Sequence, residues 1–272
     1  MTLHKSTFTW LRGAGLSSAL TLIGASFAPV PLAAALFLDP AGGVAVVPDS
    51  ADDGTAVALF WSDSFFGSMA SDITTISTNG FIRFGNGDGD GDYFLQPLGT
   101  NGVNRIAPMW MDFNLGESGQ ILTQFGADDA YLAVTWQNME NVDNPGAYAT
   151  FQAILFNAAT VLNGVSFGVG DIVFSYGDLG LYYADLETII GLETAAGATA
   201  PFTNPDFVGA PEGWHMYSAL GDFPVGENEY VLFQADGNDY NVSIQSAIPE
   251  PASAAAMLGG LALAAVALRR RR

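Results

Sequence analysis

Apolar residues along this chain recur in short alternating runs, without a long stretch at helical spacing. In "YLAVTWQN", Leu132, Val134 and Trp136 fall on one face of an extended strand, while Thr135 and Gln137 fall on the other. In "FQAILF", Phe151, Ala153 and Leu155 oppose Gln152, Ile154 and Phe156. Both faces of that strand are therefore expected to be partly covered.

Ten runs with strand character stand out, at 55–61, 73–77, 81–84, 105–111, 120–125, 131–138, 149–156, 171–176, 188–194 and 229–234. The phrases between them, "STNGF", "NGDGDGD", "DNPG" and "YGDLG", favour tight reversals. Many short strands with turn signals predict an all-β fold, an antiparallel β-sandwich in a single domain. Residues 195–224 contain Pro201, Pro205, Pro211 and Pro224 and read as irregular, either a long loop packed on the sandwich or an insertion. No internal repeat is visible.

The order of several phrases carries more than each alone. "ISTNGFIRFG" is followed by "RIAPMWMDFN", "YLAVTWQNM", "ATFQAILF", "DIVFSYGDL" and "IIGLE". The most specific pieces are Asn79-Gly80-Phe81, the run from Ala107 to Asp112, and Phe151-Gln152. This series resembles a nidogen-like (NIDO) domain over residues 63–197. The resemblance implies an extracellular matrix or cell-adhesion role and does not imply catalysis. Two departures are the lack of the cysteines that often flank the animal domains and the inserted "NGDGDGDY".

Charge sharpens the picture. Of 28 acids and eight Lys and Arg, 27 acids but only Arg83 and Arg105 lie between residues 36 and 247, a formal charge of −25. Such a surface repels nucleic acid and anionic lipid and attracts divalent cations; solubility alone is the competing reading. The absence of cysteine excludes disulfides, thiol nucleophiles and thiolate metal sites.

The two ends read as addresses. Lys5 and Arg12 precede an apolar stretch from about Ala14 to Ala28, and Ala33-Ala34-Ala35 supply small residues for cleavage. Residues 1–35 are thus expected to form a secretory signal peptide with a signal helix; Pro29 and Pro31 disfavour an uncleaved anchor helix. At the other end, residues 252–268 carry no charge and as a helix would span about 25 Å, just enough for a hydrocarbon core. Arg269, Arg270, Arg271 and Arg272 would hold that end on the cytoplasmic side. Before the span, Pro249, Glu250 and Pro251 form a stiff extended segment suited to presentation to a processing enzyme.

Residues 247–272 together resemble a PEP-CTERM sorting signal, found in Gram-negative bacteria that make exopolysaccharide. The resemblance implies a single transmembrane helix that tethers a precursor to the inner membrane. It also implies cutting near the motif by exosortase, an integral-membrane transpeptidase, and passage to the cell surface or matrix. A plain single-pass anchor is the competing reading.

Candidate chemistry is sparse. In "NGDGDGDY", Asn86, Asp88, Asp90 and Asp92 alternate with glycine, so four oxygen side chains converge if the loop curls, as calcium requires. An EF-hand register would put Pro97 at position 12, so a looser calcium loop or a solvated turn is expected. Asp112 and Asn114 at a strand end are expected to cap a turn rather than bind a ligand. His215 is expected to pack. Trp110 and Trp136 are expected in the core, while Trp61 and Trp214 are open as sugar-facing aromatics.

No catalytic residues are assigned, because no nucleophile, metal or acid–base motif is present. The reading is a secreted, non-enzymatic structural or adhesive protein of the envelope or exopolysaccharide matrix. Carboxylate-dependent carbohydrate chemistry and calcium-dependent binding are the alternatives.

Overall fold

A computed structural model describes residues 36–60, 64–68, 73–85, 94–100, 102–180, 186–203, 213–217, 223, 225 and 229–246. In chain order the first strands are β1 (Val44–Val46), β2 (Thr55–Leu59), β3 (Ile73–Ser77), β4 (Phe81–Phe84), β5 (Asn104–Trp110) and β6 (Phe113–Asn114). There follow β7 (Gln120–Phe125), β8 (Tyr131–Asn141), β9 (Asn144–Phe156), β10 (Thr160–Leu162), β11 (Val165–Phe167) and β12 (Ile172–Leu179). The last are β13 (Leu186–Glu193), β14 (Thr199–Pro201), β15 (Trp214–Tyr217), β16 (Glu229–Asp236) and β17 (Asp239–Ser246).

One large sheet has the order β1-β7-β8-β9-β12-β16-β17, with β6 also on β8; a second has the order β14-β13-β5-β4-β3-β2, with β15 also on β13; β10 and β11 pair with each other as a separate two-stranded hairpin. Pairing in both is antiparallel. All ten expected strands are present, within a few residues of their expected bounds.

Alternation explains the packing. Leu132, Val134 and Trp136 of β8 and Phe151, Ala153 and Leu155 of β9 share one core with Ile82 and Phe84 of β4, Ile106 of β5, and Ile190 and Leu192 of β13. The two sheets therefore face each other as a sandwich. Trp136 joins them at its centre. Its indole stacks on Phe151 at 5.1 Å and donates to the Ser77 carbonyl at 2.7 Å.

Both outer faces are also covered, as the "FQAILF" pattern predicts for β9. Ile154 and Phe156 pack with Leu36, Phe167 and Tyr230 beyond the first sheet. Gln152 clips residues 36–38 to that face. Its side-chain oxygen accepts from Leu38 N at 3.0 Å, and its nitrogen donates to Thr135 Oγ1 at 2.7 Å. Beyond the second sheet, Phe81, Ala107, Trp110 and Ile189 pack with Leu95 and Leu98. Trp110 is buried as expected, but in this satellite cluster.

The structure corrects three local expectations. "DNPG" holds the reversal only at its first residue; Val142 and Asp143 turn the chain, and Asn144, Pro145 and Gly146 already belong to β9. "YGDLG" is no turn either. Its residues 176–179 continue β12 through an irregularity in register between Tyr176 and Leu179. The proline-rich segment after residue 195 contributes β14 and β15, both paired to β13. Backbone pairing overrode the weak local signal in each case.

Among the described residues no helix is long and apolar enough to cross a membrane. The signal peptide expected over 1–35 and the tail expected over 247–272 lie outside the described residues.

Candidate functional site

Two of the phrases that mark the sequence meet where the chain crosses between the sheets. Asn79 and Gly80 turn the chain from β3 into β4, with Gly80 at φ 76°. A side chain at Gly80 would collide with the Met109 carbonyl, so glycine is needed there. Met111 N donates to the Asn79 carbonyl at 3.3 Å, and Phe113 N donates to Asn79 Oδ1 at 2.8 Å. Thus Asn79 holds the segment Met111-Asp112, where the chain leaves β5 in the second sheet for β6 in the first.

A tight turn packs against that crossing. Thr55 N donates to Asp49 Oδ1 at 2.7 Å, and Gly54 N donates to Thr78 Oγ1 at 2.9 Å. Asp52 bridges to Asn114, and Leu115 N donates to the Ala51 carbonyl at 2.9 Å. Asp53, at φ 50°, accepts from Asn79 Nδ2 at 2.8 Å.

The outcome is a cluster of three acids. Asp52, Asp53 and Asp112 each offer a carboxylate oxygen, and these oxygens all lie within 4.8 Å of one another. Asp52 and Asp53 are exposed and Asp112 is partly buried. Burial, and then the charges of Asp52, Asp53 and Asp143, push Asp112 up to about 6.

Among the described residues no side-chain hydrogen bond of Asp112 or Asn114 caps a turn. The Asp112 main-chain carbonyl accepts from Val142 N at 3.2 Å and Asn141 Nδ2 at 3.3 Å. Asn114 Oδ1 is buried with no hydrogen-bond partner among the described residues. Oxygen donors without nitrogen or sulfur suit a hard cation.

The other expected sites fall elsewhere. Asn86, Asp88, Asp90 and Asp92 lie outside the described residues, as do Pro249, Glu250, Pro251 and Arg269–Arg272, and Trp61. His215 lies in β15 opposite Thr188, and Trp214 lies opposite Ile189. A cavity of about 390 Å³ between the β13–β14 and β16–β17 turns is lined by Phe65, Phe66, Ser68, Asn104, Thr194 and Asn238, among others, with no carboxylate among its described lining residues.

Sequence reading also missed a buried ion pair on the outer face of the second sheet. Arg105 Nη1 lies 3.3 Å from Glu193 Oε1, and the two residues are cross-strand partners. The Arg105 guanidinium sits 3.8 Å over Trp110 and 4.9 Å from the Phe81 ring centre. Glu193 Oε2 also accepts from Gly99 N at 2.7 Å. The scarcity of basic residues is the signal that could have drawn attention to Arg105.

No curated protein and no solved structure matches the chain. The family described as NIDO related matches residues 32–204, a longer reach than the 63–197 suggested by the phrases. That match covers more than half of the 272 residues. The matched range includes much of the sandwich core, the Asn79-Gly80 turn and the Arg105–Glu193 pair. The chain therefore belongs to the NIDO-related family.

Proposed function

We propose that this protein is a secreted, non-enzymatic structural or adhesive module of the cell envelope or exopolysaccharide matrix. The observation that carries the reading is the family match over residues 32–204, an extracellular-type domain on an all-β frame. The sequence at the two ends supports the route. A signal peptide exports the chain, and the apolar span over 252–268 holds the precursor in the inner membrane. Pro249, Glu250 and Pro251 then present the tail to an exosortase-type enzyme, while Arg269–Arg272 fix its topology. The acidic domain meets matrix components, and not nucleic acid.

Intact-mass measurement on host envelope and medium fractions tests the route. A species ending near Pro249–Pro251 outside the inner membrane is expected. Changing Pro249, Glu250 and Pro251 to alanine is expected to leave the protein in the inner membrane; normal release of that variant would sink the tail's assigned role. The purified protein is expected to release no reducing ends from the host polysaccharide. Release abolished by Asp112→Asn would replace this reading with carboxylate-dependent carbohydrate chemistry.

A further inference from the structure

We propose that the last strand, β17, is a docking edge for a second copy of this chain, and that two β17 strands pair antiparallel about a two-fold axis at Ser243. β17 ends the first sheet, with β16 on one side and no strand on the other among the described residues. A sheet edge offers a row of backbone donors and acceptors to any extended chain, and folded proteins usually blunt it. The other described edges are short or covered. β1 and β14 are three residues long, β14 ends in Pro201, and β15 has four residues. On β2 the Thr55 carbonyl accepts from Asp49 N at 2.9 Å, so the 49–54 turn covers the start of that edge. β17 is eight residues long, pairs with β16 without a register shift, and contains no proline, lysine or arginine.

The hairpin register shows which groups face outward. Asp236 and Asp239 flank the two-residue turn Gly237-Asn238, so they form a hydrogen-bonded pair, and every second pair along the strands does the same. Asn241, Ser243 and Gln245 therefore turn their backbone groups to β16, while Tyr240, Val242 and Ile244 turn theirs to the open edge. Tyr240 N agrees with this parity, since it donates to Asp239 Oδ1 at 2.8 Å, off the ladder. Side chains alternate as well. Val242, opposite Phe233, packs against the core; Ile244, on the same face opposite Val231, is 41 % exposed. That apolar surface stays wet in the single chain and is covered when a further strand is added.

Charge and register select a copy of the chain as the occupant. Between residues 36 and 247 the chain carries 27 acids, yet residues 240–246 carry none. A charged partner strand finds no counter-charge there, whereas a second neutral β17 meets no like charge. With Ser243 on the axis, Val242 lies opposite the partner's Ile244 on the core face, and Asn241 lies opposite the partner's Gln245 on the other face. Both hydrogen-bonded pairs then draw on the backbone of Val242 and Ile244 alone. A register centred on Val242 needs Tyr240 N, which Asp239 already holds, and one centred on Ile244 shortens the overlap. Asp239, the one charge on the strand, falls outside the paired residues. The rest of each copy is strongly acidic and opposes approach, and salt screens that repulsion. Association is therefore expected to strengthen as salt rises, the reverse of a contact made by opposite charges.

The chain has no cysteine, so single cysteines report the register directly. The test uses the full-length protein in detergent. Ser243→Cys is expected to form an intermolecular disulfide on mild oxidation, because residues facing each other at the axis lie about 4.5–5.5 Å apart at Cα, within disulfide reach. Asn241→Cys alone is expected not to cross-link, since its counterpart lies more than about 12 Å away along the strand. Asn241→Cys mixed with Gln245→Cys is expected to cross-link.

Sedimentation equilibrium of the wild type is expected to show a dimer fraction that rises between about 0.05 M and about 0.5 M sodium chloride. Ser243→Asp sets two carboxylates face to face across the axis. It is expected to abolish the dimer while keeping the melting temperature of dilute protein within about 3 °C of wild type. A wild type that stays monomeric at every salt concentration overturns the proposal. So does absence of the Ser243→Cys cross-link, or equal cross-linking by Ser243→Cys and Asn241→Cys. A dimer that survives Ser243→Asp also overturns it and moves association elsewhere, as to the apolar span over 252–268. None of these outcomes touches the export reading, which stands or falls on fractionation.

Discussion

At the scale of the residue, Arg105 and Glu193 show how a sparse charge is managed. Two ions taken out of water cost more than they return unless each is well paired. Here the guanidinium lies over Trp110 and beside Phe81, and the carboxylate also accepts from Gly99 N. Glu193→Gln leaves a buried cation with a weaker partner and is expected to destabilise by about 3–5 kcal/mol in urea unfolding. The pair replaced together, Arg105→Met with Glu193→Leu, is expected to cost far less. Equal losses in the single and double variants would show that packing, and not charge, sets the cost. The residues were legible in "RIAPMW" and "IIGLE", but their partnership was not. Their numbers differ by 88, and only the β5–β13 register sets them opposite.

At the scale of the element, β9 is the strand that most clearly follows from sequence. Its two apolar sets face two different covers, the sandwich core and the outer layer made by residues 36–38 and the β10–β11 hairpin. Phe167 on that hairpin stacks on Phe156 with ring centres 4.4 Å apart and is itself 3 % exposed. Phe167→Ala is expected to cost about 3 kcal/mol by chemical denaturation, near the low end for a buried phenylalanine because a surface layer can partly collapse. A loss within experimental error would mean that the hairpin is not a structural cover. Sequence patterning missed β1, β6, β10, β11, β14, β15 and β17. Most are three or four residues long or fewer, and a two- to four-residue run has too little alternation to stand above its surroundings.

At the scale of the whole molecule, acidity and burial govern the response to solution conditions. Tyr176, Tyr230 and Tyr240 are all pushed above the ordinary tyrosine range, chiefly by burial; the charge of Asp171 adds to the shift at Tyr240. Their hydroxyls ionise more readily in the unfolded chain. The stability they carry is therefore present below about pH 10 and lost as pH rises through and above it. The melting temperature is expected to fall steeply there, and Tyr176→Phe to flatten the fall. That variant also removes the 2.8 Å hydrogen bond to the Pro108 carbonyl, so it is expected to lose about 1 kcal/mol at neutral pH. An alkaline profile unchanged by Tyr176→Phe would remove that tyrosine from the account.

The sequence by itself determined the fold class, the principal strands, the Asn79-Gly80 turn, the placement of Trp136 in the core and the family phrases. These are local consequences of side-chain alternation and of backbone positions that only glycine tolerates. It also drew the eye to Asp88, Asp90 and Asp92, because their spacing is visible in one line of text. The trio of Asp52, Asp53 and Asp112 has no such visibility. About sixty residues separate Asp112 from the other two, and Asn79, the bridge of Asp52 to Asn114 and the chain's crossing between sheets bring them together. Tertiary structure decided that site, as it decided the Arg105–Glu193 pair, because strand register sets which distant charges become neighbours and burial sets what their proximity costs.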